Sequence, residues 1–237
     1  MNASEIHPRP SQISELIHGL SLPLPEVQTD HLEIIAEGLH RAYHDILTSA
    51  PNVVASGNEA EVTALMEARL NTLIEQDSFW GALVRSVARG KESLSFDGSH
   101  LEKRPDLSIF LTDRARNFPL IVEAKIIDVT TGKTERLYCD QGLRRFIEGE
   151  YAWGTREAFM IAYVRDGSSI VATLTPFLST ATVKRILSYL VEELPSPLKK
   201  TSIDLARSRH GRAFAYTHQA PPLNVPGSIS IWHLWLS

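Results

Sequence analysis

Residues 104–125 read RPDLSIFLTDRARNFPLIVEAK. Two apolar runs, Asp106 to Leu111 and Phe118 to Ile126, flank the polar stretch Thr112 to Asn117, which is the pattern of two strands joined by a loop. The second run is almost continuous in apolar side chains, as a strand covered on both faces requires. Alternation along it puts Glu123 and Lys125 on one face and Ala124 on the other. Folding the first run back on the second as a symmetric hairpin pairs Leu111 with Phe118. The same register sets Asp106 opposite Glu123, with Cβ atoms roughly 4.5 to 5.5 Å apart.

Two carboxylates at that separation repel unless one takes up a proton or a cation lies between them. A divalent metal resolves the conflict, with the carbonyl of Ala124 as a further ligand beside Asp106 and Glu123. All-oxygen ligation favours Mg²⁺, with Mn²⁺ able to substitute, over zinc. Lys125 beside such an ion is placed to orient or help deprotonate an attacking water, and its charge suits a transition state that gathers negative charge. This is equipment for phosphodiester hydrolysis.

Working outward, the break from Pro51 to Gly57 is followed by Asn58, a helix cap, and by apolar residues at helical spacing: Val62, Leu65, Met66, Leu70, Leu73 and Ile74. At 100° per residue Glu59 lies about 40° from the centre of that stripe and Glu61 about 120°, so Glu59 is the acid able to face a sheet. His31 to Thr48 also reads as helix. Residues 1–30, with Pro8, Pro10, Pro23 and Pro25, read as an N-terminal extension, so the chain divides into a helical extension over 1–50 and one domain over 51–237. Downstream, the pattern predicts a helix over Glu135 to Trp153, strands over Phe159 to Val164 and Ile170 to Leu174, and a helix from Thr180 to Leu194 stopped by Pro195. Two closing strands, Ala213 to Thr217 and Ser228 to Leu236, complete an α/β fold with a central mixed sheet flanked by helices.

Pro105-Asp106 and Glu123-Ala124-Lys125 resemble the paired motif of the PD-(D/E)xK, or restriction-endonuclease-like, nucleases. The resemblance covers about residues 58–165 and is strongest over the 20 residues ending at Lys125. It implies a restriction-endonuclease-like core and a Mg²⁺-dependent nuclease, with Asp106 and Glu123 as metal ligands and Lys125 as the water-activating residue. Members often carry a glutamate on the preceding helix, a place Glu59 fills as accessory ligand. The segment QGLRRFIEGEY, Gln141 to Tyr151, is similar to the glutamine-and-tyrosine helix of the subset related to Cas4 and RecB nucleases, although its spacing is wider. That likeness assigns Gln141 a positioning role. On this helix Tyr138, Gly142, Arg145 and Gly149 share a face, and the two glycines suggest close approach to the sheet or to a nucleic-acid backbone.

Composition narrows the class. The formal charge of −4 argues against a protein that coats nucleic acid. Lys199, Lys200, Arg207, Arg209 and Arg212, against the single acid Asp204, form a local basic strip suited, with Arg145, to contacting DNA. His210 reads as a surface histidine of that strip. No apolar run reaches the roughly 20 residues of a bilayer helix, and MNASEIHPRP is not a secretory signal, so a soluble, cytoplasmic protein is expected. The single cysteine, Cys139, has no thiol partner and reads as an incidental or buried thiol. The expected partner is DNA, with RNA as the other nucleic acid to test, together with a protein that recruits or gates the enzyme, or a second copy of the chain. A restriction or antiphage role is the context such stand-alone enzymes suggest. The rivals are a noncatalytic binding or assembly protein on the same fold and a nuclease toxin with an immunity partner.

Overall fold

The computed structural model describes residues 15, 17–92, 96, 104–184, 186–198, 203–216 and 225–237. Its centre is β3, Leu120–Ile127, buried along its whole length. β2, Leu107–Leu111, lies antiparallel to it with Leu107 opposite Val122 and Ile109 opposite Leu120, the register that hairpin symmetry predicts. Among the described residues seven strands make one sheet in the order β1-β2-β3-β4-β7-β6-β5. The remaining strands are β1 (Val84–Arg89), β4 (Glu157–Val164), β5 (Val191–Pro197), β6 (Asp204–His210) and β7 (Ile229–Leu236). β3, β4 and β7 run parallel, and the other pairs are antiparallel. The fold is therefore α/β with a mixed sheet.

Period-2 alternation divides the sheet's side chains between two cores. On one face Leu120, Val122, Ala124 and Ile126 pack with Phe159, Ile161 and Trp232 under α1 (Thr29–Ser49) and α3 (Glu59–Gln76). α2 (Pro51–Ser56) and α4 (Ser78–Leu83) are short connections on that side. Leu32, Ile35, Leu39 and Tyr43 of α1 belong to this same core, and the Tyr43 ring stacks on Tyr163. The expected N-terminal extension is thus, from residue 29 onward, part of the main body. On the opposite face Ile121, Ile127, Met160 and Trp235 pack under α5 (residues 135–147) and α6 (residues 170–183). Among the described residues no helix is long and apolar enough to cross a membrane.

Four expectations need correction. α5 ends at Ile147 and not at Trp153, because Gly149 adopts φ +78 and reverses the chain; its middle, Cys139–Leu143, is a π-turn. Ile170–Leu174 is not a strand: the Ser169 hydroxyl accepts the Ala172 N–H and starts a helical run that continues as Thr175–Val183. The helix expected to reach Leu194 stops there, and Val191–Pro197 is the sheet's edge strand, a place where Pro195 removes no needed donor. The strand expected over Ala213 to Thr217 is not formed over 213–216, and residue 217 lies outside the described residues. β6 takes its place nearer the N-terminus, with Leu205, Ala206, Ser208 and His210 inward and Arg207 and Arg209 outward. β1 was not foreseen; a bulge between Val84 and Ser86 breaks its alternation.

His210 is accordingly fully buried, in a closed polar chain. Its Nδ1 faces the carbonyl of Tyr189 at 2.7 Å and so carries the proton, leaving Nε2 to accept from the Ser208 hydroxyl. Ser208 Oγ then accepts from His233 Nε2, and His233 Nδ1 accepts from the Tyr138 phenol, whose one proton is shared with the Met160 carbonyl at 3.1 Å. All four side chains are satisfied with both histidines neutral. Burial holds the His210 pKa down to about 4 and that of His233 well below its usual value.

Candidate active site

β3 runs beyond the end of β2, so among the described residues no strand lies opposite the backbone groups of Ala124 and Ile126 on that side. Side chains take their place. Asp106, one residue ahead of β2, accepts the Ala124 N–H at 2.7 Å on Oδ2, and Glu59 accepts the Ile126 N–H at 3.2 Å on Oε2. The Ala124 carbonyl accepts from Lys125 Nζ at 2.6 Å.

Glu59 reaches the strand because Asn58 fixes the start of α3. The Asn58 side chain accepts the Glu61 N–H and Glu61 returns the contact to the Asn58 N–H, a reciprocal capping box that engages Glu61 and leaves Glu59 for the sheet. The ammonium of Lys125 then gathers the acids, at 2.8 Å from Glu123 Oε1, 3.1 Å from Glu59 Oε1 and 3.7 Å from Asp106 Oδ2. Side-chain exposure rises outward from 1% at Glu123 through 11% at Lys125 and 24% at Asp106 to 33% at Glu59. The cluster therefore opens to solvent on the Asp106 and Glu59 side.

Arg145 closes the inner side, donating from one nitrogen to Glu123 Oε1 and to the Tyr151 phenol, both at 3.0 Å. α5 can approach this closely because residue 142 is glycine: a Cβ there would lie 2.5 Å from Met160 Cε and 3.6 Å from Glu123 Cγ. The glycine thus serves approach to the sheet. Burial and the nearby Asp106 charge raise the Glu123 pKa to about 7, against the pull of Lys125 and Arg145. Burial works against the Lys125 ammonium, but Glu123, Asp106 and Glu59 outweigh it and raise its pKa. We take Lys125 as charged, since three carboxylates surround it. Both cations bind Oε1 of Glu123, while Oε2 is buried with no partner. A buried acceptor without a partner is costly.

No family model, curated protein or solved structure matches the chain. The site is therefore read from its own geometry.

Of the residues singled out from sequence, Asp106, Glu123, Lys125, Glu59, Arg145 and the Ala124 carbonyl come together. Gln141 does not: it is exposed in the π-turn at the middle of α5, with no hydrogen bond to the cluster. Tyr151, at the wider spacing, is buried and in contact with Arg145. The basic strip dissolves. Arg212 turns inward and donates to the carbonyls of Ala152, Trp153 and Thr155. Arg209 pairs with Glu192, Arg207 is exposed on β6, three strands from β3, and Lys199 and Lys200 lie outside the described residues.

As it stands, among the described residues, no three of the His, Cys, Asp and Glu side chains are arranged to hold a metal ion. Lys125 Nζ occupies the middle of the acids instead. The donor set nevertheless fits a hard divalent cation: three carboxylates, one of which keeps an unpartnered oxygen, and one backbone carbonyl, with no sulfur or imidazole.

Beside the cluster is a pocket of about 220 Å³. Ser108 and Ile121, paired across β2 and β3, line it, with Phe118 and Trp153 at the sides and Lys91 and Glu92 at the rim.

Proposed function

We propose that this chain is a metal-dependent nuclease that hydrolyses phosphodiester bonds of DNA. The observation that carries the reading is the convergence of Glu59, Asp106 and Glu123 on Lys125 where β3 outruns β2, with Glu123 Oε2 buried and unpartnered. Asp106, Glu123, Glu59 and the Ala124 carbonyl are the residues that would hold Mg²⁺. Bound there, the ion supplies Lewis-acid polarisation of the phosphate and a lowered pKa for water.

The chain's own groups do the rest. Lys125, at the middle of the acids, would orient the attacking water and offer positive charge to the phosphoryl oxygens. Arg145, held by Tyr151, keeps Glu123 in one orientation and supplies a second cation on the inner side. The outward rise in exposure gives a phosphate access from the Asp106 and Glu59 side. Supercoiled plasmid incubated with Mg²⁺, with EDTA, and with Mg²⁺ plus the Lys125→Ala variant tests the reading. Cleavage only in the first is expected, and equal cleavage in all three removes it.

One observation favours a second reading, a noncatalytic protein: Lys125 already neutralises the acids. Calorimetric titration with Mn²⁺ separates the two, because only the nuclease site takes up the ion. A restriction or antiphage context and a cytoplasmic location go with the first reading and rest on it.

A further inference from the structure

We infer that the pocket next to the acids receives one unpaired nucleobase, which makes single-stranded DNA the substrate. The inference rests on the nuclease reading and extends it to substrate class. Ser108 and Ile121, which line the pocket, are register partners on the face of the sheet that carries Asp106 and Glu123. Each lies two residues along its strand from those acids, or about 7 Å. The sugar of one nucleotide bridges that gap, so a strand with its phosphate at the acids brings a base to the pocket.

The shape and chemistry of the pocket choose the base over the phosphate. A volume of about 220 Å³ is below the roughly 300 to 1,000 Å³ of pockets for drug-sized ligands and suits a single ring system. Phe118 and Trp153 stand edge to face, with centroids 5.1 Å apart, and offer aromatic surface for a flat ring. Both charged groups at the rim already have partners, Lys91 over the Phe110 ring at 4.5 Å and Glu92 with Arg104 at 2.6 Å, so neither is left free for a phosphate. Uncharged ring edges do find partners, since a carboxylate or hydroxyl accepts from an exocyclic amine. A base stacked in a duplex cannot enter a recess sunk into the face of the sheet without leaving its helix.

The test is binding of a fluorescent ten-nucleotide strand to the full chain in EDTA, where no cleavage interferes. Three ligands are compared: the strand, its duplex, and a strand of the same length whose sugars lack bases. The intact strand is expected to bind most tightly. Filling the pocket with Ser108→Leu is expected to weaken its binding about tenfold, with folding checked by thermal unfolding. Equal binding of the intact and base-free strands overturns the inference, as does binding by folded Ser108→Leu that matches the unaltered protein. Should Ser108→Leu not fold, the base-free strand decides alone. Plasmid cleavage separates the two ideas. Mg²⁺-dependent cutting with base-indifferent binding removes the pocket and leaves the chemistry, whereas base-dependent binding without cutting does the reverse.

Discussion

At Asp106 two duties share one carboxylate: Oδ2 accepts the Ala124 N–H and also lies 3.7 Å from Lys125. Asp106→Asn separates them. The amide oxygen can still accept the N–H, so unfolding free energy is expected to stay within about 0.5 kcal/mol, the range of neutral changes. Mn²⁺ binding and plasmid cleavage are expected to be lost, since a neutral amide no longer completes a cation site. Paired chemical denaturation and calorimetry check this, and a large loss of stability would show that the charge itself holds the fold. This residue was legible in the sequence because a two-residue period and hairpin symmetry together fix which side chains meet. Tyr151 was less legible. Its contact with Arg145 depends on the chain reversal at Gly149, where φ is +78, and helical periodicity has no means of describing that turn.

Two elements deliver the flanking groups, α3 the outer Glu59 and α5 the inner Arg145. In α3 the Asn58 cap and Glu59 are neighbours, so Asn58→Ala is expected to cost about 1 kcal/mol of stability and to reduce cleavage as well, because the first turn carrying Glu59 frays. Circular dichroism melts alongside plasmid assays read both effects. In α5 the close approach depends on Gly142, and Gly142→Ala drives a Cβ toward Met160 Cε at 2.5 Å. Overpacking of this kind costs about 1 to 3 kcal/mol. The double variant Gly142→Ala, Met160→Ala is expected to regain part of that loss in thermal unfolding, since the clash is with the flexible end of a side chain. The capped start of α3 was written in the sequence as Asn58 followed by Glu61 and an apolar stripe. The course of residues 170–197 was not. Its β-branched residues suit strand and helix alike, and only pairing with β6 decides that Val191–Pro197 is extended.

On the scale of the whole molecule, the buried chain from Tyr138 through His233 and Ser208 to His210 couples stability to pH. Both histidine pKa values are lowered in the folded protein, so below their ordinary value of 6.5 the unfolded chain binds more protons and gains on the folded one. Stability contributed by the neutral histidines is thus complete above about pH 6.5 and falls toward pH 4; for His210 alone the loss is on the order of 3 kcal/mol. Glu123, raised to about 7, acts in the opposite sense between about pH 4.5 and 7. The acid sensitivity that remains within this buried chain is therefore attributed to His233. His233→Gln is expected to flatten the slope of unfolding free energy against pH over 4 to 6.5, whatever it does to stability at pH 7, and urea melts across that range measure it. An unchanged slope would place the acid sensitivity elsewhere. His210's role could not be read from the chain, because β6 was taken for a solvated basic strip, and the Ser208 partner of His233 lies on that same strand.

The stretch of β3 that outruns β2 bears on how copies of this protein behave toward one another. An open strand border invites a strand from a neighbouring molecule, the first step of aggregation. Here the carboxylates of Asp106 and Glu59 cap that border, occupying the amides a foreign strand would claim. The groups proposed for chemistry thereby also keep the molecules apart, so stripping both acids would expose a sticky seam along with disabling a catalyst.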